Sequence, residues 1–176
     1  INSLILAFNQ SIHTTESRNG VYQRLISLLL VVILTLLTIV AIGLITIGSI
    51  GLNYLKDNGF IQDWISYYSL FGAKWVVLIA LFFFCISFLF FLAPAKKTRF
   101  RFISAGSTLA TVLSLLTCLG FDYYVSNFSK YNALYGSIGT ILIILLWIYF
   151  NAIALITGFE LNASIKSAKR NHGALK

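Results

Sequence analysis

Two carboxylates, Asp122 and Glu160, stand close to long apolar runs in this sequence, and one amide, Asn151, stands inside such a run. Polar groups of this kind are expensive in hydrocarbon, so they are the first candidates for handling a proton, an ion or a substrate. Both acids fall near the ends of their runs, within reach of water. Glu160 suits a structural ion pair with Arg99 or Arg101, whereas Asp122 suits contact with a substrate or a proton-linked step. Small hydroxyls are ordered around these groups. Thr35, Thr38, Thr46 and Ser49 fall within about 80° on a helix, as do Ser107, Thr111, Ser114, Cys118 and Asp122; Thr140, Asn151, Gly158 and Asn162 fall within about 40°. Such stripes either let helices pack closely or converge on a polar seam that passes a solute. Both readings stand at this point, and Asn151 is expected to find a partner on the first or third span.

Other chemistries have no matching pattern. Cys85 and Cys118 both lie within apolar runs, without metal-ligand spacing, and read as small buried groups. His13 is a lone histidine in a polar connection, where a solvated side chain is the ordinary outcome. No histidine pair, acidic cluster or metal-ligand spacing points to nuclease or other enzyme chemistry, and neither a metal nor a cofactor is expected.

The elements that must position these residues follow from composition. Of 176 residues 59% are hydrophobic and 10% charged, with a mean hydropathy of +0.88, whereas a soluble domain carries about a quarter charged residues. The expected fold is all-α, a polytopic transmembrane bundle forming one membrane domain over residues 1–176. Four apolar runs predict spans at about 25–52, 75–92, 102–124 and 138–163, each long enough for a hydrocarbon core of about 30 Å. Short interfacial helices are expected beside them. Ile1, Leu4, Ile5, Phe8 and Ile12 recur at helical spacing, and Trp64, Tyr67 and Tyr68 supply rings that favour the headgroup level. Pro94 ends the second span, and residues 164–176 read as a basic tail.

The net charge of +8 is a topology signal, not a nucleic-acid footprint, because the cations flank apolar spans. Four crossings place Arg18, Arg24, Lys96, Lys97, Arg99, Arg101, Lys166, Lys169, Arg170 and Lys176 on one side, against Lys56, Lys74 and Lys130 on the other. Both ends of the chain are therefore expected in the cytoplasm. Lys96, Lys97, Arg99 and Arg101 are also placed to contact anionic lipid headgroups. The chain begins at Ile1 with no signal-peptide pattern, so an upstream portion is expected.

Several stretches resemble one family. The basic turn from Pro94 to Arg101, the run FDYYVSNF from Phe121 to Phe128, the YG-S-x-G element within Tyr131 to Gly139, LWIY from Leu146 to Tyr149, and GFELNA from Gly158 to Ala163 are similar to the YihY/BrkB family of bacterial inner-membrane proteins. The resemblance covers essentially the whole chain. It implies an inner-membrane protein whose full-length members have about six spans, and a suggested role in moving lipids or other solutes. Phe159 departs from the pattern, since a small residue usually precedes ELNA, and this bears on how closely that helix end is approached.

The expected function is a transporter or flippase-like translocator of a lipid or other envelope solute, through a polar seam between the first, third and fourth spans. The alternative is a structural or interaction protein of the envelope with no transport. Membrane lipids are the expected partners, nucleic acid is not, and self-association is left open.

Overall fold

The computed structural model describes residues 1–11, 18–58, 64–95, 103–128 and 132–174. These form five helices and no strand: α1 (Asn2–Ser11), α2 (Gly20–Asp57), α3 (Trp64–Leu92), α4 (Ala105–Phe128) and α5 (Asn132–Ala174). Helices α2 to α5 are each long and apolar enough to cross a membrane, the arrangement that satisfies every backbone group where no water is available. Large side chains such as Val21, Ile47 and Trp64 are more than 70% exposed. In lipid that is ordinary solvation, because the surrounding acyl chains are as apolar as the side chains themselves.

The helices run further than apolar length alone predicts. Within residues 56–74, where a short surface helix is expected, Trp64 to Lys74 instead continues without a break into α3, and α5 carries the expected basic tail as helix through Ala174. Lys166, Lys169 and Arg170 are good helix formers, and cations near a helix C-terminus complement its partial negative charge.

Each end has a local cause. At the end of α2, both the backbone N–H and the side-chain amide of Asn58 donate to the Tyr54 carbonyl, at 3.1 and 2.9 Å. Helix α3 stops before Pro94, which has no N–H to continue it. Arg18 then donates to the Ala93 carbonyl at 2.7 Å, and the Ala95 N–H donates to Oδ1 of Asn9 at 2.8 Å. Helix α4 begins at Ala105, a few residues later than predicted, because Ser104 caps it. The Ser107 N–H donates to Ser104 Oγ at 3.2 Å, and the Ser104 N–H donates back to Ser107 Oγ at 3.1 Å, a reciprocal pair that satisfies two donors at once.

Helix α2 packs along α3, α4 along α5, α3 joins the two hairpins, and α1 docks on α5. The core sits at one end. Ile5, Phe8, Leu30, Ile86, Leu89, Phe90, Ala93, Ala110 and Phe159 form one cluster, so α1 is packed among α2, α3 and α5. In the other half, over residues 35–52, 64–85, 115–127 and 139–153, no described residue is buried. There α2 and α3 meet through Ser49 and Lys74, and α4 and α5 through the rings of Phe121 and Phe150.

Candidate functional site

The packed end is built from three rings and one amide. Phe8 of α1 stacks on Phe159 of α5, with centroids 4.4 Å apart and planes at 22°, and meets Phe90 of α3 edge-on at 5.5 Å. Phe90 and Phe159 close the triangle at 5.6 Å. Offset and edge-to-face pairs of this kind add to simple burial. Phe159, the departure from the resemblance noted above, is therefore the ring against which α1 is seated.

One turn further along α5, Asn162 is 5% exposed and reaches the start of α4. Its Oδ1 accepts the Gly106 N–H at 2.8 Å, and its Nδ2 donates to Ser104 Oγ at 2.8 Å. The first N–H groups of a helix have no partner within it, so α5 completes the cap that Ser104 begins. Contact at this level is close because two residues lack a side chain. A Cβ on Gly158 would stand 2.5 Å from the Gly106 carbonyl and 2.6 Å from the Ala110 methyl, and one on Gly106 would collide with the Gly158 carbonyl.

The predicted seam residues divide along this axis. Ser107, Thr111 and Ser114 are buried on α4, with Thr111 Oγ1 donating to the Ser107 carbonyl at 2.7 Å. Further along the same stripe Cys118 is half-buried and Asp122 exposed. Thr35, Thr38 and Thr46 are exposed on α2, which lies along α3, so the structure does not bring them together with the α4 and α5 stripes. Asn151 is half-buried, and its amide donates to the Trp147 carbonyl of its own helix at 2.9 Å, not to α2 or α4 as expected. A short polar side chain can satisfy itself on the preceding turn without help from another helix. Glu160 is exposed, and its Oε1 accepts a long 3.4 Å bond from Ser11 Oγ. Arg99 and Arg101, its expected partners, lie outside the described residues, as do Lys96, Lys97 and His13.

Sequence reasoning missed three things here. Asn9 and Phe8 lie in a ten-residue helix whose polar and apolar residues suit a membrane surface equally well. Lys74 looks in the sequence like a flanking charge alone, yet it reaches Ser49 across the α2–α3 contact. A groove of about 400 Å³ opens beside α1, lined by Ile1, Asn2, Arg24, Ser27, Leu28 and Val31, and Ser27 Oγ donates to Asn2 Oδ1 across it at 2.5 Å. Among the described residues no group of three or more His, Cys, Asp or Glu side chains comes together, and both cysteines are free.

These features define a multi-pass helical membrane protein, held together at one end. The chain belongs to the BrkB family, described as Virulence factor BrkB, whose match runs over residues 1–176. It is 30% identical over 171 residues to the ribonuclease-like protein YfkH of Bacillus subtilis, covering 97% of this chain and 62% of that protein. A UPF0761 membrane protein of Vibrio campbellii is 33% identical over 105 residues, which cover 60% of this chain and 32% of the relative. Another, from Pseudoalteromonas translucida, is 38% identical over 77 residues, or 44% and 26% of the two chains. The chain thus spans less than two thirds of the length of these relatives. No solved structure matches it.

Proposed function

We propose that this domain moves an amphiphilic envelope solute, a lipid foremost, along the unburied half of the bundle, with the packed end acting as a closed gate. The observation that carries this reading is that, among the described residues, every buried one lies toward one end of the bundle. Transporters that alternate between two openings rock bundles against each other around a site at membrane depth. In one state they are expected to be sealed at one end and open at the other. Two features of this chain support that mechanics. The seal includes three rings, Phe8 stacked on Phe159 and both edge-on to Phe90, and Phe8 sits on the short helix α1, which is held besides by only a few hydrogen bonds such as that from the Ala95 N–H to Asn9. The walls of the unburied half are apolar with scattered hydroxyls at Thr35, Thr38 and Thr46, which suits a molecule with both acyl chains and a headgroup.

The distribution of basic residues supports one orientation. With Arg18 and Arg24 at the packed end, that end faces the cytoplasm of a bacterial inner membrane and the unburied half faces outward. A second reading has a specific observation behind it. The tight Gly106–Gly158 crossing lies beside the α4 stripe, whose Ser107, Thr111 and Ser114 are buried, as a scaffold without transport would have them. Reconstituting the full-length protein in liposomes and following exchange of a fluorescent phospholipid, with ion flux in parallel, separates the two. Exchange faster than in protein-free liposomes is expected; no acceleration of either process favours the scaffold.

A further inference from the structure

Lys74 is a cation within an apolar helix and has no carboxylate paired with it among the described residues. It lies ten positions into α3, about 15 Å along the axis from Trp64 and deeper than Tyr67 and Tyr68, whose rings favour the headgroup level. Its side chain crosses to α2. There Nζ donates to Ser49 Oγ at 2.9 Å, and it stands 5.1 Å from the centroid of the Phe71 ring. Residue 48 is glycine, and a Cβ there would press on the crossing side chain, 3.3 Å from Lys74 Cδ. Ser49 gives its own proton to the Ile45 carbonyl at 2.6 Å, so a lone pair of its oxygen is turned to the ammonium.

An ammonium carries three N–H donors. One is used on Ser49, and the ring face interacts with the charge as a whole. The remaining donor capacity and the full positive charge are left uncompensated in a half-buried setting, where a counter-ion is favoured most. We propose that Lys74, braced by Ser49 and Phe71, binds the phosphate of an anionic amphiphile at the contact between α2 and α3. The inference rests on the unburied half being the solute path, and it names the chemistry recognised there.

The test reads binding rather than transport, so that the two can fail separately. Full-length protein in which Trp75 is the sole tryptophan is placed in bilayers containing phosphatidylglycerol or phosphatidylcholine with brominated chains, and quenching of Trp75 reports which lipid sits there. Wild type is expected to prefer phosphatidylglycerol. Lys74→Gln is expected to lower that preference about fivefold, the factor one basic residue contributes near a membrane surface, while Lys74→Arg keeps it. If Lys74→Gln does not yield folded protein, Ser49→Ala decides, with a smaller loss of preference expected. Equal quenching by both lipids in wild type, or an unchanged preference in Lys74→Gln, or in Ser49→Ala where that variant decides, overturns the site. Added inorganic phosphate distinguishes the source within the proposal: a preference that survives it assigns a lipid headgroup, and one that it abolishes assigns a soluble phosphate. A preserved preference without lipid exchange would count against transport alone.

Discussion

The backbone N–H of Gly106 donates to the side-chain Oδ1 of Asn162 at 2.8 Å, so the first turn of α4 is completed by a residue of α5. The partner amide group of Asn162 holds Ser104, the residue that caps α4 from within its own chain segment. The two most extensively packed helices of the bundle are thereby tied in register at this level.

Replacing that amide should therefore cost more than a surface change. Asn162→Ala is expected to lower stability by about 1–2 kcal/mol, the cost of a lost cap and an unpaired buried donor. Asn162→Asp should keep most of it, since a carboxylate still accepts the Gly106 N–H at the positive end of α4. Thermal unfolding of the three proteins in the same detergent checks the order; equal midpoints would show that the contact contributes nothing.

The glycines make a second, internally controlled case. Gly158→Ala places a methyl 2.6 Å from the Ala110 Cβ, and the helices must move apart at a cost of about 1–3 kcal/mol. Gly120 and Gly43 have nothing within 4 Å of an added Cβ. Alanine there should be neutral or stabilise by up to about 1 kcal/mol through helix propensity alone. Unfolding midpoints that fall equally at all three positions would contradict the close crossing.

The ring triangle predicts how α1 is held. Phe8→Ala removes a fully buried ring that touches both Phe90 and Phe159, and truncations of that kind cost about 3–5 kcal/mol in a packed core. Because α1 is only ten residues long, too short to be stable alone, it should detach before the spans unfold. A cysteine placed at Asn9 would then react with a water-soluble maleimide much faster in the Phe8→Ala background than in wild type.

The hydroxyl stripes should part company under one substitution. Ser114 is 1% exposed, so Ser114→Trp cannot fit and is expected to reduce the yield of folded protein. Thr38 is exposed and already bonded to its own Leu34 carbonyl at 2.8 Å. Thr38→Trp should fold like wild type, within about 0.5 kcal/mol, and slow lipid exchange if the unburied half is the path. Size-exclusion profiles followed by the liposome assay read both effects.

Local periodicity and tertiary contact act separately in this fold, and the α4 stripe shows where they part. Ser107, Thr111 and Ser114 were recognisable as one helical face because an angle of 100° per residue is a property of the backbone. Their burial depends on the helices packed against α4, with α5 meeting Gly106 and Ala110 beside the stripe. The identical periodicity on α2 leads to exposed threonines, since nothing within a stripe encodes which neighbour will lie against it. Asn151 makes the same point, because its own helix offered a carbonyl as good as any partner on another span.

The sequence by itself determined that this is an all-helical membrane protein with four spans and a break at Pro94, because hydrocarbon admits no unpaired backbone and apolar length reports each crossing. Composition carried that much without any knowledge of contacts. Only the tertiary structure decided that α1 is wedged at one end by Phe8, that Asn162 caps a foreign helix, and that Lys74 reaches Ser49. Each of those depends on a crossing between helices distant in sequence, set by where glycine lets backbones approach and where a ring or an amide finds its match.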